Sequence, residues 1–189
     1  MVHKSAIGAA FFLLFGVWLL TGCQSDESCI AMAGSNAQAH YCLLPPAQAP
    51  TLALTQQVQI DWKAQAHTLL SVLESDATAT TMVTLTPTGQ TLFSLRQDAQ
   101  GVTVQSATPL PPGFEPRALL ALAQLALWPE HKLRAGLTGC LTLDASAARR
   151  ILRCDATVLL EVKYLDRPES YRLQWFPASL NVLATALEE

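Results

Sequence analysis

Apolar residues along this chain fall into three patterns. The first is an uncharged, apolar run over 6–20, preceded by a short polar start that carries Lys4. Such a run matches the hydrophobic core of a secretory signal peptide and falls short of the ~20 residues a membrane-crossing helix needs. The second pattern is alternation. Val58, Ile60 and Trp62 alternate with Gln57, Gln59, Asp61 and Lys63, the period of a half-buried strand. Further strands are expected over 67–74, over 80–86 with Met82, Val83 and Leu85, over 91–96 with Leu92, Phe93 and Leu95, and around Val102 and Val104. Pro87-Thr88-Gly89 and Asp98-Ala99-Gln100-Gly101 supply turns between them. These intervals are too short for crossover helices, so the strands should form an antiparallel meander. Several are apolar on both faces, which calls for a sheet covered on one side and filled on the other.

The third pattern supplies the filler. Pro109, Pro111 and Pro112 break the strand series, and Glu115-Pro116 opens a helix with the proline in its first turn. Residues 117–128 are then rich in Ala and Leu, strong helix formers, with Arg117 and Gln124 as the strongly polar exceptions. A helix that is apolar all round is buried or lies in a membrane, and this one is too short to span a bilayer. Pro129 ends it. Strands return over 139–143, 149–154, 157–165 and 170–176, with a turn at Asp166-Arg167-Pro168-Glu169, and 179–187 reads as a last strand. The expected fold is α+β and mostly β: a curved antiparallel sheet enclosing one apolar helix.

Half of the residues are hydrophobic and few are charged, ample for a full core and unlike a disordered chain. Loss of Lys4 with the leader leaves eleven basic against fifteen acidic residues, a net charge of −4 with no basic stripe, so nucleic acid is not the expected partner. Nucleophile, metalloprotease and phosphate-loop signatures are absent, which points away from an enzyme and from a cofactor. His40, His67 and His131 stand apart from one another and there is no Cys pair at metal-ligand spacing, so no metal site is expected. Arg149, Arg150 and Arg153 read as an exposed charged strand edge, with an anionic lipid group as the alternative occupant.

Leu20-Thr21-Gly22-Cys23 resembles the lipobox of bacterial lipoproteins. The resemblance implies cleavage before Cys23, fatty acyl chains such as palmitate on its thiol and usually on the new amino terminus, and stable anchoring, since two or more chains hold where one does not. Gln24, in place of the Asp that retains enterobacterial lipoproteins at the inner membrane, implies the periplasmic face of the outer membrane. The chain then divides into a signal peptide (1–22), a lipidated tether (23–50) rich in Ala, Ser, Gln and Asn and ending in a Pro-rich spacer, and a folded domain (51–189). Setting Cys23 aside leaves Cys29, Cys42, Cys140 and Cys154, which allow three connectivities. The local pairing, Cys29 with Cys42 and Cys140 with Cys154, is the expectation; each such bridge stabilises by about 3 kcal/mol in the chain-entropy model.

Gln124-Leu125-Ala126-Leu127-Trp128-Pro129, followed by paired strands around Arg149-Arg150 and Tyr164, resembles the DUF3261 family of bacterial lipoproteins, from about Leu52 onward. Members of that family often accompany gene clusters for aryl polyene pigments, and the family is distantly similar to the LolA/LolB lipoprotein carriers. The similarity implies an incomplete antiparallel barrel around a helix, with an apolar cavity for acyl chains. On this chain the pocket would be lined by Trp62, Met82 or Val83, Phe93 and Leu95 from the sheet, with Leu119, Leu122 and Trp128 of the helix as a movable lid; the alternative is that these residues are plain core. The expected function is a non-enzymatic lipoprotein that binds or transfers a lipid-like ligand, an acyl chain or aryl polyene lipid. The alternative is a structural or assembly lipoprotein with an envelope protein partner.

Overall fold

The computed structural model describes residues 28–33 and 38–188. Cys23 and the leader lie outside the described residues. The strands, in chain order, are β1 (Cys29–Ala31), β2 (Ala39–Cys42), β3 (Leu52–Trp62), β4 (Gln65–Ser75), β5 (Thr80–Leu85), β6 (Thr91–Asp98) and β7 (Gly101–Ser106). Helices α1 (Pro116–Leu127) and α2 (Glu130–Leu133) follow, then β8 (Leu137–Gly139), β9 (Leu141–Ala145), β10 (Arg149–Cys154), β11 (Thr157–Tyr164), β12 (Tyr171–Trp175) and β13 (Leu180–Ala186).

Ten strands form one curved antiparallel sheet in the order β7-β6-β5-β4-β3-β13-β12-β11-β10-β9. It is two meanders, one on each side of α1 in the sequence, joined where β13 pairs with β3. The sheet is not closed, so β7 and β9 are its edges. The alternation expected at Val58, Ile60 and Trp62 holds, and the register carries it across the sheet: Val182 lies opposite Ile60, Leu173 opposite Val182, and Val162 opposite Leu173. Directly opposed residues share a face, so one continuous apolar face runs from β3 to β11.

Helix α1 packs on that face. Residues 120–126 are buried without interruption, as a helix apolar all round requires. Pro116 sits in the first turn, and the Glu115 carboxylate accepts the Arg117 N–H at 3.2 Å. The opposite end is held by the second meander. Arg150 donates from Nη1 to the Leu125 carbonyl at 2.8 Å, and the Tyr164 hydroxyl donates to the Ala126 carbonyl at 2.6 Å. These carbonyls belong to the last turn and have no intrahelical donor, and the guanidinium also suits the negative end of the helix dipole. Burial lowers the pKa of Arg150 and raises that of Tyr164, yet an arginine remains a cation. Arg150 therefore points inward, not along an exposed edge; Arg149 is exposed, and Arg153 pairs with Asp144 at 3.4 Å.

Two expectations are corrected. The spacer read over 23–50 is folded across its described part. Met32, Ala39, Tyr41, Leu43 and Leu44 are buried in the same core as α1, because their apolar side chains gain as much from burial as those of the sheet and Tyr41 and Leu44 find polar partners on Gln124. β1, β2 and β8 form a separate three-stranded sheet there. The single strand read over 139–143 is two, broken at Cys140. Gly139 has φ +71°, and a Cβ there would stand 1.4 Å from the Gln38 carbonyl oxygen, so only glycine fits where the chain passes from the small sheet to the large one. The short helix α2 was not expected at all. The cysteine pairing was: Cys29–Cys42 and Cys140–Cys154 are both disulfides, with Cα–Cα distances of 3.8 and 4.8 Å.

The N-terminal segment is tied to α1 by one buried residue, Gln124. Its Oε1 accepts from the Tyr41 hydroxyl and the Leu44 N–H, both at 2.9 Å, and its Nε2 donates to the Leu44 carbonyl at 3.4 Å and to Gln97 Oε1 at 3.3 Å. Replacing Gln124 by Met keeps the volume and leaves the Tyr41 and Leu44 donors unpaired. The expected loss is about 2–5 kcal/mol in urea denaturation, against about 1 kcal/mol for Tyr41→Phe, which removes a single bond.

Candidate functional site

Between α1 and the sheet the packing is incomplete. An inner cavity of about 50 Å³ is lined by Val58, Ile60, Leu69, Met82, Leu173 and Val182 of the sheet, by Leu119, Leu122 and Ala123 of α1, and by Gln56, Ser71, Thr84 and Tyr171. An outer cleft of about 280 Å³ lies at the N-terminal end of α1, between Ile30, Trp62, Phe114, Trp175 and Leu180. Ile60 and Leu119 line both and stand between the two spaces.

Phe114 closes the mouth. It is half-buried on the loop before α1 and makes edge-on contacts with Trp62 and Phe93, at centroid distances of 6.0 and 5.7 Å. Edge-to-face packing of this kind is favourable. Trp62 also carries the Lys63 ammonium over its ring at 4.2 Å. Trp175 is fixed from the other side, since its Nε1 donates to the Met32 carbonyl at 3.0 Å. The rim therefore combines three aromatic rings with the N-terminal segment.

The pocket residues read from the sequence separate into groups. Trp62, Leu119 and Leu122 come together around the cleft and cavity. Phe93 is buried behind Phe114 and reaches the site through it. Leu95 and Trp128 are fully buried in the core and line neither space. Val83 lies on the opposite face of β5 from Met82, and Met82 is the residue that lines the cavity. Phe114, Ile60, Trp175 and Leu180 were missed as site residues. The period-two pattern of Tyr171, Leu173 and Trp175 was available to find Trp175. Nothing in the proline-bounded stretch 109–116 marks Phe114, because its role comes from the loop's position over Trp62.

Among the described residues, one cluster brings metal-ligand types together: Cys140, Cys154 and Asp155. Its two sulfurs are joined in a disulfide, so neither is a thiolate. His67 and His131 are exposed and His40 lies on β2, away from the cavity.

A family model described as a protein of unknown function (DUF3261) matches residues 53–182, more than half of the chain. The chain belongs to the DUF3261 family. No curated protein matches it. The match spans β3 to the start of β13 and so includes α1 and the whole cavity wall, while β1 and β2 lie before it. In this DUF3261 protein the polar ties gather at the C-terminal half of α1, on Gln124, Leu125 and Ala126, whereas the half that borders the empty space presents Ala118, Leu119 and Leu122. Replacing Arg150 by Met removes the cap on the Leu125 carbonyl. It should cost about 1–3 kcal/mol and speed amide exchange in the last turn of α1 more than in the first.

Proposed function

We propose that this protein is a non-enzymatic lipoprotein that holds or passes on a lipid-like molecule between α1 and the sheet, anchored by acyl chains on Cys23 at the periplasmic face of the outer membrane. The observation that carries the reading is an apolar cleft and an apolar cavity that share Ile60 and Leu119, beside the part of α1 that presents Ala118, Leu119 and Leu122. The cleft, of about 280 Å³, opens at the surface, and Ile60 and Leu119 stand between it and the inner cavity. Each methylene placed there would contribute about 0.8 kcal/mol.

The inner cavity of about 50 Å³ would hold a few waters and is too small for a long chain. Full occupancy therefore requires the N-terminal half of α1 to lift while the half held by Gln124 and Arg150 stays in place. An open sheet wrapped around a helix is also the arrangement of the LolA/LolB carriers, to which the family is distantly similar, and the family's association with aryl polyene clusters makes a polyene lipid one candidate ligand. The lipobox at Cys23 and Gln24 supports the anchoring and its address. No helix among the described residues is long and apolar enough to cross a membrane, so the acyl chains would be the anchor within this reading.

A second reading rests on the open edges. β7 and β9 each have one strand neighbour in the large sheet, and such an edge can take a strand from a partner. In that case crosslinking in cells recovers a single envelope protein in stoichiometric yield, and the cavity stays empty.

Native mass spectrometry of the extracted protein should show a co-purifying apolar ligand. Leu122→Trp should abolish that adduct, with the fold retained at a cost of about 1–3 kcal/mol. A ligand-free species that also refuses fluorescent fatty-acid probes contradicts the proposal. Metabolic labelling tests the anchor: palmitate should enter the wild-type chain and not Cys23→Ser, and an unlabelled, soluble wild-type product contradicts it.

A further inference from the structure

The inner cavity contains a polar rung. Gln56 on β3, Ser71 on β4 and Thr84 on β5 lie directly opposite one another in register and share the face that α1 covers. All three are buried, at 3, 8 and 3 % exposure, and all three line the cavity. Gln56 is engaged, donating from Nε2 to the Glu169 carbonyl at 2.6 Å. Neither the Ser71 nor the Thr84 hydroxyl has a hydrogen-bond partner among the described residues. The buried side-chain atoms left without a partner among the described residues are Thr80 Oγ1 and Trp128 Nε1; the Ser71 and Thr84 hydroxyls instead sit side by side on the cavity wall, open to its space and available to an entering group. No Asp, Glu, Lys, Arg or His lines that cavity. A carboxylate or phosphate placed there would lose its hydration and find no counter-charge.

We propose that Ser71 and Thr84 form the recognition site for an uncharged hydrogen-bonding group, a hydroxyl or a carbonyl, carried on the apolar chain that enters past Phe114. This deepens the lipid-binding reading and rests on it. The ligand class is thereby narrowed to neutral, polar-tipped or ester-bearing chains, with free fatty acids and phospholipid head groups excluded from the inner end. The outer cleft takes the apolar remainder between Trp62, Phe114 and Trp175.

The test uses the full lipidated chain in phospholipid nanodiscs and three photoreactive twelve-carbon probes: an alkane, a primary alcohol and a carboxylate at pH 7. Crosslinks are mapped to peptides of β3, β4, β5 and α1. The alcohol should label these peptides well above the alkane and the carboxylate. The alcohol-to-alkane ratio should fall about fivefold or more in Thr84→Val and in Ser71→Ala, the scale that one lost hydrogen bond sets. Both variants should keep the wild-type melting temperature or exceed it, because no protein hydrogen bond is removed. An alcohol-to-alkane ratio that is the same in wild type and both variants overturns the proposal while leaving the lipid-binding reading intact, as does preferred labelling by the carboxylate. Strong destabilisation in both variants also overturns it, by showing that protein groups hold the hydroxyls. Absence of cavity labelling by all three probes overturns the proposal and the lipid-binding reading together.

Discussion

Everything in this fold is arranged around one amide side chain in an otherwise apolar helix. Gln124 is fully buried, and its hydrogen bonds reach the N-terminal segment at Tyr41 and Leu44 and the first meander at Gln97. Without it, α1 would be a greasy rod free to slide or turn on a greasy sheet, since apolar contacts have little directionality. With it, one rotation and one depth of the helix bring the Gln124 amide to Tyr41, Leu44 and Gln97 together. Arg150 and Tyr164 extend the same constraint to the second meander by capping the last turn of α1. The described side-chain ties from α1 to the meanders and the N-terminal segment thus gather on Gln124, Leu125 and Ala126, and the cavity and cleft lie beside Ala118, Leu119, Leu122 and Ala123.

The same constraint explains how much of the structure could be read in the sequence. Period-two alternation and short turns exposed the two meanders, since a half-buried strand cannot hide its pattern. The Ala- and Leu-rich run between prolines exposed α1 and its burial. Local cysteine spacing gave the disulfides. What escaped was set by tertiary contact. Residues 38–44 look like spacer because they are short and followed by prolines, yet Tyr41, Leu43 and Leu44 are core. Their partner is Gln124, more than 80 positions away along the chain in the Tyr41 bond, and no local pattern announces such a bond.

The candidate site was legible in outline and blurred in detail. Trp62, Leu119 and Leu122 were recognised because they are large apolar residues on the faces that had to meet. The choice between Met82 and Val83 turned on a one-residue register, which flips every side chain across the sheet; the structure puts Met82 inside. Leu95 and Trp128 share the chemistry of the lining residues and differ from them only in being fully surrounded. Phe114 and the paired hydroxyls of Ser71 and Thr84 become meaningful only once the loop, β4 and β5 are placed in space.

A structure of the protein purified from its own membrane addresses the central claim most directly. The account predicts continuous elongated density from the rim at Trp62 and Trp175 to the strands at Ser71 and Thr84, with the N-terminal half of α1 displaced and Gln124 unmoved. A cavity closed by its own side chains, with α1 seated along its whole length and no density beneath it, would contradict it.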